Sequence, residues 1–205
     1  MAKAAKQSAV QPVAAPEPFR LDFGCGTNKR AGFIGVDQFP MPGVDHVFDI
    51  GKGNWPFAEN SVEEAHASHF LEHLTNFEGK WERVTFFNEL YRVLKPGAKA
   101  TLIFPHWAST RYYGDPTHKE PFSEFGFYYL SREWRVGSPE KGLGANAPAT
   151  DISFNTNGYS CDFEAVWGNG MHASLTSRNQ EFQQFAMSWY KEAIQDLYAT
   201  LTKKA

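Results

Sequence analysis

Cysteine is scarce in this chain, long apolar runs are missing, and neither sign of charge dominates. Two cysteines among 205 residues, Cys25 and Cys161, carry no metal-like spacing. They fit a reducing compartment and exclude a disulfide-stapled scaffold. No apolar run approaches the roughly 20 residues that cross a bilayer, so no membrane partner is expected. A net charge of −3 sets up no global field toward nucleic acid, which is therefore not favoured as a partner. Residues 1–17 lack the apolar centre of a signal peptide and read as a flexible tail of Ala, Gln, Lys and Pro. These absences together point to the cytoplasm.

The most informative stretch is Leu21-Asp22-Phe23-Gly24-Cys25-Gly26. An acid and a Gly-x-Gly follow a short apolar run, and a second acid, Asp37, closes the next run, Phe33-Ile34-Gly35-Val36. Two glycines let the backbone approach a ligand closely. An acid ending the second strand can accept hydrogen bonds from both ribose hydroxyls. The dinucleotide fingerprint needs a third glycine and a helix that carries a pyrophosphate on its N-terminus. Here the third position is Lys29, and residues 27–32 are too few for such a helix. A nicotinamide oxidoreductase is therefore disfavoured, and a nucleoside ligand without phosphate fits better.

Strand-like runs cover 19–23, 33–37, 46–49, 64–68 and 99–104. Residues 78–94 read as a helix with Trp81, Val84, Phe87, Leu90, Tyr91 and Leu94 on one face, ended by Lys95-Pro96-Gly97. Strand–helix alternation implies a parallel sheet with helices on its faces, and ligands at the carboxyl ends of its strands. Gly24, Asp37, Asp49 and His69 fall there. Residues 159–167 and 171–177 pattern as an antiparallel pair turning at Gly168-Asn169-Gly170. Residues 179–202 pattern as an amphipathic helix, packed on its own domain or forming a homodimer contact.

In this order the segments resemble the class I S-adenosylmethionine-dependent methyltransferases. Asp22-Phe23-Gly24-Cys25-Gly26 is similar to the cofactor loop and Gly35-Val36-Asp37 to the ribose-binding strand end. Phe48-Asp49-Ile50 is similar to the third strand end near the adenine. Trp55-Pro56-Phe57 matches the loop usually written leucine-proline-phenylalanine. Residues 67–74 resemble the fourth strand end, and residues 89–97 the helix and glycine turn before the fifth strand. A Pro105-His106 pair followed by Asp115-Pro116-Thr117-His118 resembles a bacterial and phage-type subset. The one departure is the missing helix after the glycine loop.

The resemblance implies an α/β, Rossmann-like three-layer sandwich with a mostly parallel seven-stranded sheet whose last strand is antiparallel. It makes residues 18–205 a single domain with an aromatic-rich insertion at about 106–150. It implies an enzyme that moves a methyl group in line from S-adenosylmethionine, leaving S-adenosylhomocysteine, to a small-molecule acceptor. A non-catalytic cofactor-binding or scaffold module of the same fold is the alternative. Implied cofactor contacts are Asp22, Gly24, Cys25, Gly26, Asp37, Gln38, Asp49, Ile50 and His69.

Histidines at strand ends, His69 and His106, are either general bases or loop braces. Asp115 and His118 form either an acid–base pair or a turn. Glu72 and His73 read as the start of a helix that braces the loop. No metal is expected, since no spacing compels a site from His106, Asp115 and His118.

Overall fold

A computed structural model describes residues 19–77, 79–136 and 158–205. The tail at 1–17, Glu78 and the 137–150 part of the insertion lie outside the described residues. Seven strands form one sheet: β1 (Arg20–Phe23), β2 (Ile34–Asp37), β3 (His46–Val47), β4 (Val62–Ser68), β5 (Leu94–Pro105), β6 (Phe163–Met171) and β7 (Ile194–Lys203). Their order is β3-β2-β1-β4-β5-β7-β6. β7 runs antiparallel to both of its neighbours, so the other six point one way. This is the expected sheet. The described helices are α1 (Glu82–Val93), α2 (Thr110–Tyr113), α3 (Arg132–Val136) and α4 (Gln180–Trp189). No helix among the described residues is long and apolar enough to cross a membrane.

Alternation along β1 sets the two faces of the sheet. Leu21 and Phe23 point to the side covered by α1, where Phe23 meets Phe86 edge-on at 5.7 Å between centroids and Trp55 at 4.5 Å. Phe86, Phe87, Leu90 and Val93 of α1 are fully buried there. Asp22 points to the opposite face. No helix follows the glycine bend, as the short spacing predicts, and Phe33, with Arg30 5.1 Å above its ring, lies edge-on to His66. Trp81, assigned by periodicity to the buried face, is half exposed just before α1.

Two expectations fail and one holds in part. The helix ends before Lys95-Pro96-Gly97 as expected, but the strand takes over there without a separate turn. α1 stops at Val93 and β5 begins at once, with the register shifting between Val62↔Leu94 and Glu64↔Lys99. Pro96 and Gly97, whose φ is +79°, stand in that irregularity, where a missing N–H and a left-handed residue are tolerated.

Gly168-Asn169-Gly170 is not a hairpin turn but continues β6, opposite Tyr198, Leu197 and Asp196. A Cβ on Gly170 would stand 2.6 Å from Tyr198 Cε2, so glycine here makes room for a ring. β6 ends at Met171, and residues 172–177 form no second strand but a short 3-10 turn, Ala173–Leu175.

The helix expected at 179–202 is two elements. Asn179 caps α4, its side chain accepting the Phe182 N–H at 2.8 Å. The helix ends at Trp189, and Glu192 has φ +69°. β7 then buries Leu197, Ala199 and Leu201, a period of two that the matching spacing at 194, 197 and 201 disguises as helical. Phe185 and Trp189 of α4 are exposed.

Candidate functional site

The carboxyl ends of β1 and β2 meet at the glycine bend. The Gly24 and Cys25 N–H groups both donate to the Val36 carbonyl, at 2.8 and 3.3 Å. Gly24 and Gly26 have φ of +62° and +50°, which a side chain would resist. Asp37 turns toward this bend. Its Oδ2 accepts the Gly26 N–H at 3.0 Å and its Oδ1 the Phe39 N–H at 3.0 Å. Each oxygen keeps a second lone pair, so the carboxylate is held in place and still able to accept.

Beside it lies a cleft of about 150 Å³ lined by Gln38, Asp49, Ile50, Phe70, His73 and Lys119 among others. Gln38 is exposed at its mouth. Asp49 caps the 3-10 turn Ile50–Lys52, accepting the Gly51 N–H at 3.1 Å, and pairs with Lys52 at 3.0 Å. The turn is anchored from behind, because Trp55 Nε1 donates to the Ile50 carbonyl at 2.9 Å.

Phe70 stands directly on Gly24: a Cβ there would meet its ring at 2.5 Å. The open volume is below the roughly 300 Å³ at which small-molecule sites begin. Phe70, packed over Gly24, narrows the cleft on that side.

Of the expected cofactor contacts, Gln38, Asp49 and Ile50 line this cleft and His69 does not, while Asp22 and Cys25 turn away from it. Asp22 is buried, with Oδ1 2.7 Å from His66 Nδ1 and Oδ2 accepting the Arg30 N–H at 2.7 Å. It braces the loop from the far face of the sheet. The Cys25 side chain packs toward Gly35, whose Cβ would lie 2.7 Å from the sulfur. Burial, with Asp22 and Asp37 adding to it, pushes that thiol up to about 11, so it stays protonated and unreactive.

The expected catalytic residues separate into three places. His106 is buried after β5. Its Nδ1 accepts the Ala108 N–H at 3.2 Å, which leaves Nε2 to donate to Glu124 at 3.1 Å. Both nitrogens are thus engaged in hydrogen bonds. It borders a mainly apolar cavity of about 340 Å³ lined by Trp107, Tyr113, Trp189, Tyr190 and Ile194.

His69 is half exposed at the end of β4 with φ +52°, a conformation that costs energy for a residue with a side chain. Its Nδ1 lies 3.0 Å from Ser68 Oγ and its Nε2 3.7 Å from Asp196 Oδ1. Asp196 is buried and its Oδ2 is held by Arg111 at 2.5 Å.

His118 sits elsewhere again. Its Nδ1 donates to the Tyr112 carbonyl at 2.6 Å, and its Nε2 is 3.8 Å from both Glu72 Oε1 and Asp115 Oδ2. Asp115 Oδ1 takes the Thr117 N–H and hydroxyl at 2.8 and 2.7 Å, the turn that its place before Pro116 favours. His106 does not join this group, so the combination of His106, Asp115 and His118 is not formed.

Sequence reasoning gave Glu72 and His73 a bracing role and missed their meeting with His118. They do not begin a helix that braces a loop. They sit on a 3-10 turn, Leu71–His73, that carries both toward His118. Burial pushes the Glu72 carboxyl up to about 7, with the Arg83 guanidinium opposing. Burial also holds His73 below its ordinary range. The only signal in the chain was the density of polar residues in Ser68-His69-Phe70-Leu71-Glu72-His73, which does not reveal a partner 45 residues away.

No known family model matches the sequence, and no curated protein matches it. Among solved structures, a SAM dependent methyltransferase from Archaeoglobus fulgidus is 16% identical, with 90% of this chain and 85% of that one covered and a TM-score of 0.53. The YcgJ protein from Bacillus subtilis is 14% identical, with 91% and 92% covered and a TM-score of 0.49. At such identity the first likeness establishes a shared fold: the chain has the Rossmann-like architecture of a SAM-dependent methyltransferase structure.

Proposed function

We propose that this chain is an S-adenosylmethionine-dependent methyltransferase acting on a small-molecule acceptor. The observation that carries the reading is the Asp37 carboxylate, turned toward the Gly24–Gly26 bend beside the Gln38–Asp49–Ile50 cleft. Asp37 would hold the ribose hydroxyls, the bend would pass close under the nucleoside, and Asp49 and Ile50 would sit at the adenine. When bound, the cofactor supplies a methyl group on a sulfonium, whose sulfur leaves as a neutral thioether without protonation.

The chain's task is then positioning, which can supply on the order of 7–11 kcal/mol when the reacting atoms are held about 3–3.5 Å apart. Where the acceptor carries a proton, His69 is the base this reading favours. It is half exposed, it follows β4 next to Phe70, and the buried Asp196 carboxylate lies 3.7 Å from its Nε2. The aromatic cavity beyond β5 would take an apolar part of the acceptor.

One observation favours a non-catalytic cofactor-binding module instead: Phe70 lies over Gly24 and narrows the cleft. Two measurements separate the readings. Calorimetry with S-adenosylmethionine and S-adenosylhomocysteine tests the cleft, and absence of heat with both ligands refutes both readings. A methyl-transfer screen with labelled cofactor against metabolite fractions tests the chemistry. Binding without transfer to any fraction selects the non-catalytic module.

A further inference from the structure

The geometry points to an unassigned divalent-metal site: we propose that Glu72, His73 and His118 bind one Zn²⁺-class ion, with Asp115 as a fourth ligand at the open side. One ligand atom from each of the first three residues lies within 4.8 Å of the others. A tetrahedral zinc with bonds of about 2.0–2.2 Å places its ligand atoms roughly 3.3–3.6 Å apart. With every pair within 4.8 Å, no edge needs to contract by more than about 1.5 Å. The 3.8 Å separations of His118 Nε2 from Glu72 and Asp115 are too long for hydrogen bonds and close to that spacing.

The independent observation is Glu72. Its side chain is 3% exposed, and neither carboxylate oxygen has a hydrogen-bond partner among the described residues. An ionised carboxylate in that position is costly unless a cation meets it. The Arg83 guanidinium acts on Glu72 through space but makes no hydrogen bond to it. Its two terminal nitrogens go to the carbonyls of Pro121, Leu71 and Glu120, and it lies 3.7 Å from the Glu120 carboxylate.

Both imidazoles are also oriented as metal ligands are. His118 Nδ1 is fixed on the Tyr112 carbonyl, and His73 Nδ1 lies 3.4 Å from the Thr117 carbonyl. His118 thus keeps its lone pair on Nε2, and His73 does so when its Nδ1 donates to that carbonyl. A backbone carbonyl holding the far ring nitrogen fixes the tautomer and strengthens the ligand. Two imidazoles and a carboxylate suit zinc and its first-row neighbours rather than magnesium or calcium. His73 also lines the cleft beside Asp49, so the ion would sit at the edge of the proposed cofactor site.

The test needs no cofactor, so its failure leaves the methyl-transfer reading standing. The full chain is stripped with chelator and titrated with ZnCl₂ by calorimetry, then loaded with Co²⁺ for visible absorption. The expected result is one ion per chain and Co²⁺ bands of four-coordinate intensity. Glu72→Gln and His118→Asn should each weaken Zn²⁺ binding at least ten-fold and abolish the bands, since loss of even an outer partner costs about 10–100-fold. His172→Asn, outside the cluster, should bind as wild type. Circular dichroism confirms folding of each variant, with His73→Asn as the substitute where one fails to fold. No stoichiometric uptake by wild type, or undiminished uptake by the folded variants, overturns the site.

Discussion

Replacing Asp37 with alanine tests the reasoning most directly, because the same carboxylate has a structural and a ligand-binding task. In the free protein it accepts two backbone N–H groups, from Gly26 and Phe39, at 3.0 Å each. Hydrogen bonds to a charged group contribute roughly 1.5–3 kcal/mol, but both donors stand at a cleft where water can replace the carboxylate. A loss near the lower end, about 3 kcal/mol for the pair, is expected. At about 2–4 °C per kcal/mol for a chain of this size, the melting temperature falls by about 6–12 °C.

Binding suffers separately. Two ribose hydroxyls donating to the carboxylate would add about 3–6 kcal/mol, and at 1.4 kcal/mol per decade the dissociation constant for S-adenosylhomocysteine rises about 10²- to 10⁴-fold. Calorimetry well below the melting range, with circular dichroism on the same sample, separates the two effects. A folded Asp37→Ala protein that binds within threefold of wild type would refute the ribose contact and with it the proposed cofactor site.

Gly24→Ala should destabilise the chain through a φ of +62° and a Cβ 2.5 Å from the Phe70 ring, together on the order of 2–4 kcal/mol. Adding Phe70→Ala should recover the contact part but not the backbone part. Chemical denaturation of the two single variants and the double variant measures that coupling, and strict additivity would contradict the packing. Burial raises the Glu89 carboxyl, but the Arg92 guanidinium and the Trp55 N–H outweigh it and hold the group below its ordinary value of 4.5. A depressed carboxyl stabilises above its unfolded pKa and loses that contribution as pH falls through the folded one. Glu89→Gln should therefore cost about 1.5–3 kcal/mol at pH 7, with the melting-temperature gap to wild type closing below about pH 4.5. Cys25 and Cys161, buried and pushed up to about 11 and about 12 by that burial, should resist a thiol reagent at pH 8. Both should react at once in denaturant, and fast labelling of the native chain would contradict their placement.

The first half of the sheet was legible because its signals are local. An acid, a glycine bend and a second acid follow apolar runs at the spacing of parallel strands, and the structure puts Asp37 against Gly26 accordingly. The short segment at 27–32 correctly excluded a helix. The C-terminal region was misread for an equally local reason. Ile194, Leu197 and Leu201 satisfy a helical spacing, while Leu197, Ala199 and Leu201 satisfy a strand. Only the antiparallel partners on β5 and β6 choose between them.

Within this chain, sequence determined what neighbouring residues dictate: which glycines bend, where acids end strands, and that no phosphate-binding helix follows. Tertiary structure decided what depends on residues far apart in the chain. It turned Asp22 away from the cleft because strands alternate their faces, and it set Phe70 on Gly24. It also gathered His73 and His118 around the Glu72 carboxylate, whose oxygens have no hydrogen-bond partner among the described residues. Side chains 45 positions apart leave no mark of their meeting in either local spacing or composition, because burial and charge pairing arise only once the strands between them have packed.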